Sequence, residues 1–218
     1  MGLLAADGHC REYVSKSGDC SYSIKIEQAE EQVLKDIGEF YGIPLKHRER
    51  IIANKNRIFW SLKFPTSTDK LLGNYLNTYR ADIDLFFNSL SDNEQNDFMR
   101  GYFDGDGSIV FTPQGLSKQG YTKYRHTMGF SINSKQQSLL RILNSWGEKY
   151  NFTLSRYLDK RGNGSWYYSI NNYKNLQTIF NLFYSNNPVF KNERKYKIFN
   201  NLCETMKEQY KNNEFLFS

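Results

Sequence analysis

With 218 residues, 39% of them hydrophobic and 16% aromatic, the chain is too apolar to be disordered and long enough for one large domain or two of about 100 residues. No stretch approaches the roughly 18 apolar residues that span a bilayer, MGLLAADGHCREY lacks the pattern of a signal peptide, and Cys10, Cys20 and Cys203 form no CxxC pair, so a soluble intracellular protein with free thiols is predicted. The net charge of +6 makes a polyanion the first partner to consider.

In chain order, MGLLAADG reads as the end of an apolar helix, and HCREYVSK and CSYSIKIE, joined by the turn-like SGD, as a hairpin. EQAEEQVLKDIGEFYG spaces Val33, Leu34, Ile37, Phe40 and Tyr41 as a helix that Gly42 and Pro44 end. KHRERIIA and NRIFWSLKFP form a second hairpin around Asn-Lys-Asn, with Ile58, Trp60, Leu62 and Phe64 on one face. A further helix is expected from about Ser67 to Tyr79.

The second half repeats the order. DNEQNDFMRGYFDGDG reads as a helix, GSIVFTP and YRHTMGFSIN as strands, and SKQQSLLRILNSWGEKY as a helix. FTLSRYLD and SWYYSIN flank an Arg-Gly-Asn-Gly turn, and two helices follow from about Tyr173 and Lys191. The repeat predicts an α+β protein of two αββαββα units, residues 1–92 and 93–218, rather than a solenoid with its shorter period. Residues 1–92 carry 12 Lys/Arg against 13 Asp/Glu and residues 93–218 carry 17 against 10, so the second half is the basic one. In the first half, Lys46, Arg48, Arg50, Lys55, Arg57 and Lys63 nevertheless crowd a segment opposed only by Glu49.

Both units open on the same event, a glycine-containing apolar helix that ends in Asp-Gly and passes directly into a strand: MGLLAADG at Asp7 and MRGYFDGDG at Asp106, 99 positions apart. Gly2, Ala5, Ala6, Gly101 and Gly105 allow two helix backbones to approach closely. If the two helices pack together, their terminal aspartates converge, an arrangement that favours a divalent cation, and oxygen-only ligation points to Mg2+. Read alone, DGDGSIVFTPQG could be a calcium loop, but such a loop wants Gly and Glu where this chain has Ile109 and Gly115.

These segments resemble the paired motifs of the LAGLIDADG homing endonucleases in their single-chain, two-motif form. RGYFDGDGSI is close to the family pattern, MGLLAADGHC is a looser match, and FNSLSDNEQNDFMRG and NERKYKIF extend the likeness over nearly the whole chain. The resemblance implies antiparallel sheets forming a DNA-binding saddle, with Asp7 and Asp106 holding Mg2+ beside Gly8 and Gly107, and Ca2+ or Mn2+ as substitutes. It implies a lysine near each metal, for which Lys195 is the match in the second unit and Arg80 falls nearest in the first. Asp104 has Ala5 as its counterpart and is not expected to be a symmetric ligand.

Alternation assigns the strand faces. Arg11, Tyr13 and Ser15 share a side, as do Val110, Thr112 and Gln114; Ile24 and Ile26 leave Ser23 and Lys25 exposed, and Met128, Phe130 and Ile132 leave Arg125, Thr127 and Ser131 exposed. By resemblance these polar and basic faces meet DNA, with Arg48, Arg50, Arg57, Arg156 and Lys160 as further phosphate or base contacts. His9 is read as a strand residue, and His47 and His126 lack zinc-site spacing. The resulting expectation is a monomeric, site-specific double-strand DNA endonuclease with internal pseudo-two-fold symmetry. The alternative is a nucleic-acid-binding protein of the same family, an intron splicing maturase or a DNA-binding regulator.

Overall fold

A computed structural model describes residues 1–18, 20–52, 54–65, 82–116, 122–133, 137–158 and 165–212. The chain divides into two compact units: Met1–Gly105 with Val189–Asn192, and Asp106–Pro188 with Glu193–Ser218. The helix expected from Ser67 to Tyr79 lies outside the described residues.

The first unit runs α1 (Gly2–Asp7), β1 (Gly8–Val14), β2 (Cys20–Gln28), α2 (Glu31–Tyr41), β3 (Lys46–Ile52), β4 (Lys55–Lys63), α3 (Ile83–Ser89) and α4 (Asp92–Asp106), whose last residue opens the second unit. Its sheet is antiparallel with strand order β1-β2-β4-β3. One face is apolar: Ile24 and Ile26 of β2 and Leu62 of β4 are buried with Val33, Leu34 and Ile37 of α2 and Leu4 of α1. α2 stops at Gly42, whose left-handed φ of 65° lets its N–H turn back to the carbonyls of Glu39 and Gly38. Phe40 and Tyr41, at helical spacing with the core residues, are instead 65% and 51% exposed, because they fall on the last turn; Phe40 meets Phe190 edge-on at 5.3 Å. Trp60, Leu62 and Phe64 turn inward as their alternation requires, whereas Ile58 sits on the exposed tip of the β3–β4 hairpin.

The start of α4 is built by Glu94, whose carboxylate accepts the Ser91 backbone N–H at 2.8 Å and its hydroxyl at 2.6 Å, the glutamate arm of a capping box. α3 is capped by Asp82, which accepts from the Leu85 N–H at 3.0 Å.

The second unit runs β5 (Gly107–Leu116), β6 (Thr122–Asn133), α5 (Gln137–Lys149), β7 (Ser155–Leu158), β8 (Ser165–Ile170), α6 (Tyr173–Tyr184) and α7 (Glu193–Asn212). Strand order β5-β6-β8-β7 is the order of the first sheet again. Met128, Phe130, Ile132, Tyr168 and Ile170 form its inner face, and Trp146 of α5 stacks on Phe183 of α6 at 5.6 Å. Cys203 of α7 is buried here, and burial pushes its thiol up to about 12.

Unequal burial within the first unit implies unequal sensitivity to truncation. Leu34→Ala, at a fully buried position, should lower the unfolding free energy by about 2–5 kcal/mol. Ile51→Ala, at a position 79% exposed, should stay within about 0.5 kcal/mol. Urea titration followed by circular dichroism measures both, and equal losses would contradict this core.

Candidate nucleic-acid interface and motif aspartates

The motif begins with two helices that lie unusually close. A Cβ on Gly2 would strike the carbonyl oxygen of Phe98, one on Gly101 would come within 2.8 Å of the Leu3 nitrogen, and one on Gly105 would strike the Ala6 Cβ and lie 2.6 Å from Asp7 Oδ2. Glycine is therefore required along this line, and the C-terminal turn of α1 rests directly on the last turn of α4. α1 ends at Gly8, whose N–H donates to the Leu4 carbonyl and whose backbone is already extended, so β1 starts without a loop. The Asp7 carboxylate is thereby set against Gly105, the residue that precedes Asp106.

Asp7 is half-buried, and its Oδ2 accepts a hydrogen bond from Gln28 Nε2 at 2.6 Å. Gln28 is itself only 8% exposed, and its Oε1 finds no hydrogen-bond partner among the described residues. Sequence reasoning passed over Gln28. The available signal was a polar residue at the third inward position of the run Ile24, Ile26, Gln28. In the second unit, Asp106 is the exposed last residue of α4, and Gly107 opens β5.

Asp104, one turn position away, serves differently. It is 3% exposed, its Oδ2 meets Arg100 Nη1 at 3.5 Å, and its backbone carbonyl accepts from Asn192 Nδ2 at 3.4 Å. Arg100 also donates to Asp97 at 3.1 Å and to the Phe190 carbonyl, so this carboxylate is tied into the packing of residues 189–192 on α4.

Among the described residues no three His, Cys, Asp or Glu side chains form a metal-holding group. The donor set nevertheless suits a hard cation. A half-buried carboxylate beside an amide oxygen that lacks a partner offers oxygen ligands only, and Mg2+ commonly rests on one or two carboxylates with water and phosphate completing its shell. Asp7 and Gln28 fit such an ion from this chain's side.

Pairing across the first sheet sorts its side chains by face. His9 stands opposite Lys25 and Lys25 opposite Lys63; Arg11 opposite Ser23, Arg48 opposite Phe59 and Arg50 opposite Arg57; Glu27 lies opposite Ser61, which lies opposite Lys46. Residues so paired share a face, here the one turned away from the core. That face carries Arg11, Lys25, Lys46, Arg48, Arg50, Lys55, Arg57 and Lys63 against one acid among its described strand residues, Glu27. Tyr13 and Ser15 continue the row of Arg11, and all three are exposed. Glu27 was not anticipated from the sequence; it receives Lys25 Nζ at 2.8 Å, Arg48 Nη2 at 2.5 Å and Arg50 Nη2 at 2.6 Å.

In the second sheet, Thr112 pairs with Arg125 and Val110 with Thr127, again on the face away from the core, and the backbone of Ser131 is in register with Tyr167. Gln114 follows where the register shifts between Pro113 and Leu116 and is exposed. The Tyr167 ring lies over Gly129, where a Cβ would collide with it, and its hydroxyl bonds to Ser108 Oγ. Arg156 is not on this face. Register sets it opposite Tyr168, on the helix-covered side, and its guanidinium stacks 3.5 Å from the Trp166 ring. Lys195 sits in the first turn of α7 and is 4% exposed, so it is no ordinary surface charge. Arg80 and Lys160 lie outside the described residues. Although the second half is the more basic in sequence, among the described residues the denser cationic sheet face is that of the first unit.

Residues 99–206 match the family described as LAGLIDADG endonuclease. An intron-encoded RNA maturase of Saccharomyces cerevisiae, bI4, is 26% identical over 205 residues, covering 89% of this chain and 30% of that protein; the chain thus spans under a third of the curated relative it matches. Meganuclease I-SmaMI bound to uncleaveable DNA with a TTGT central four has the same fold, with a TM-score of 0.58, 14% identity and coverage of 97% of this chain and 89% of that one. LAGLIDADG meganuclease I-AabMI bound to uncleaved DNA gives 0.53, 14%, 95% and 90%.

The bond between Gln28 and Asp7 is open to a direct test. Gln28→Leu removes both the donor to Asp7 and the buried amide oxygen, so Ca2+ binding followed by calorimetry should weaken by about tenfold, while the urea midpoint moves by no more than the equivalent of about 1 kcal/mol. Unchanged Ca2+ affinity would remove Gln28 from the ligand set.

Proposed function

The chain belongs to the LAGLIDADG family, and from that premise we propose that it is a site-specific endonuclease that hydrolyses both strands of duplex DNA at a long asymmetric target, as a single chain and with Mg2+. The observation that carries this reading is an aspartate at the end of each motif helix, with Asp7 half-buried against Gly105 and bonded to Gln28. A catalytically idle scaffold has no need to keep an acid at both positions. When bound, a divalent cation supplies Lewis-acid stabilisation of phosphate charge and a more acidic water.

In this reading Asp7 and Asp106 supply the carboxylates, with Gly8 and Gly107 next to them at the metal and Gln28 orienting Asp7. Lys195, buried at the start of α7, supplies positive charge within the second unit. Arg11, Tyr13, Ser15, Ser23, Lys25, Arg48, Arg50 and Arg57 of the first sheet, and Thr112, Gln114, Arg125, Thr127 and Ser131 of the second, face the duplex. The concentration of cations on one sheet face is the footprint that phosphate binding requires. No described helix is long and apolar enough to cross a membrane.

The yeast relative's name, RNA maturase, motivates a second reading in which the same faces hold an intron RNA. Binding to duplex DNA and to structured RNA of equal length, at matched salt, separates the two readings.

Exchanging each motif aspartate tests the first. Asp7→Asn and Asp106→Asn should each lower double-strand cutting in Mg2+ by at least about 10²-fold while leaving DNA binding and folding in place. Asp104→Asn should behave in the opposite sense, costing about 1–3 kcal/mol of stability through the Arg100 pair but cutting normally once folded. Wild-type cutting by Asp7→Asn would exclude the first motif from the chemistry.

Arg125→Ala tests the second sheet. A base contact there predicts relaxed preference at one position by about 1–3 kcal/mol, and a phosphate contact predicts a uniform loss with a shallower salt slope. If neither changes, Arg125 is off the DNA.

A further inference from the structure

Glu27 poses a physical problem for a polyanion-binding face. A carboxylate among so many cations weakens attraction to phosphate, yet it is placed where three of them converge: Lys25 at 2.8 Å, Arg48 at 2.5 Å and Arg50 at 2.6 Å. Its side chain is 16% exposed against 35%, 49% and 41% for those partners, so it lies beneath them and they stand above it toward solvent. Arg48 bridges both of its oxygens through a single nitrogen, Nη2. Arg50 is held from a second side, its guanidinium 5.0 Å from the centre of the Phe59 ring.

We propose that Glu27 is a positioning residue that sets sequence specificity: it fixes the guanidinium groups of Arg48 and Arg50 in one orientation, so that they present donors to guanine edges in the major groove instead of following phosphates. The proposal rests on the DNA-binding reading above. Glu27 engages Nη2 of each arginine: Arg48 spends that nitrogen on both carboxylate oxygens and keeps separate Nε and Nη1 donors, whereas Arg50 meets one oxygen and keeps a parallel pair of N–H donors, the arrangement that guanine O6 and N7 match. A free arginine side chain gives up considerable rotamer freedom on binding, and one already pinned by a carboxylate and a ring has lost it beforehand. Arg57 is the contrast. It stands directly across from Arg50, a like charge, and the ion pairs of Glu27 among the described residues are with Lys25, Arg48 and Arg50. Repulsion from Arg50 directs Arg57 outward, toward phosphate.

The experiment uses the full chain, a duplex recovered by the wild type from a randomised library, and a random-sequence duplex of the same length, with affinities measured over a range of salt. Glu27→Gln should bind the random duplex more tightly and with a steeper salt slope, while the ratio of target to random affinity falls about tenfold, the size of one lost bidentate base contact. In a repeated selection the loss of preference should fall on guanine positions. Glu27→Asp keeps the charge but draws the carboxylate back by one methylene, and it should lose discrimination with the salt slope unchanged, which separates orientation from net charge. Arg57→Ala should weaken both duplexes equally.

A wild-type target ratio in Glu27→Gln and Glu27→Asp, or a parallel loss on both duplexes, overturns the proposal. Recovery of no duplex sequence by the wild type overturns it together with the endonuclease reading. Recovery of a target that either variant binds with wild-type preference overturns the Glu27 role alone.

Discussion

How closely α1 lies on α4 sets the rest of the motif. Helices that meet through ordinary side chains keep their axes about 8–10 Å apart. Gly2, Gly101 and Gly105 remove the side chains along the line of contact, and backbone meets backbone. Glycine within a helix costs about 0.5–1 kcal/mol relative to alanine, so three of them at one interface mark a geometry that larger residues could not reach. Because Gly8 passes straight into β1 and Gly107 into β5, the positions of the helix ends are also the positions where the two sheets begin.

Two carboxylates in the motif region have opposite fates, and their surroundings explain why. Asp104 is buried and offset by Arg100, with Asn192 and Phe190 bonded alongside, so it acts as a peg between α4 and the segment 189–192. Asp7 is half-buried and accepts a hydrogen bond from the neutral amide of Gln28 at 2.6 Å. A carboxylate neutralised by arginine has little left to offer a cation.

The first sheet divides its labour by face. Inward residues supply apolar area, and the outward face supplies charge that would repel itself if the cations were left unsupported. Glu27 relieves part of that repulsion, and rings such as Phe59 take up more through cation–π contact. In the second unit, Arg156 obtains comparable support from Trp166 but on the opposite side of its sheet, which shows that exposure of a basic residue does not by itself identify a binding face.

Much of this was legible without coordinates. Apolar spacing at Val33, Leu34 and Ile37 and the alternation at Ile24 and Ile26 are local patterns, so the α+β class, the repeated plan and the outward side of β1 and β2 could be read from residue order alone. Glycines before Asp-Gly likewise announced a close helix pair, because only a missing side chain permits it. What order could not decide depends on pairing between distant strands. Arg156 lies on a strand of four residues, too short for alternation to declare a face, and only its register with Tyr168 placed it. Gln28 reaches Asp7 across 21 positions, and Glu27 gathers Arg48 from the same distance. Such contacts follow from the order in which strands join the sheet, and that order is set by the burial of the whole apolar face, not by any local run of residues.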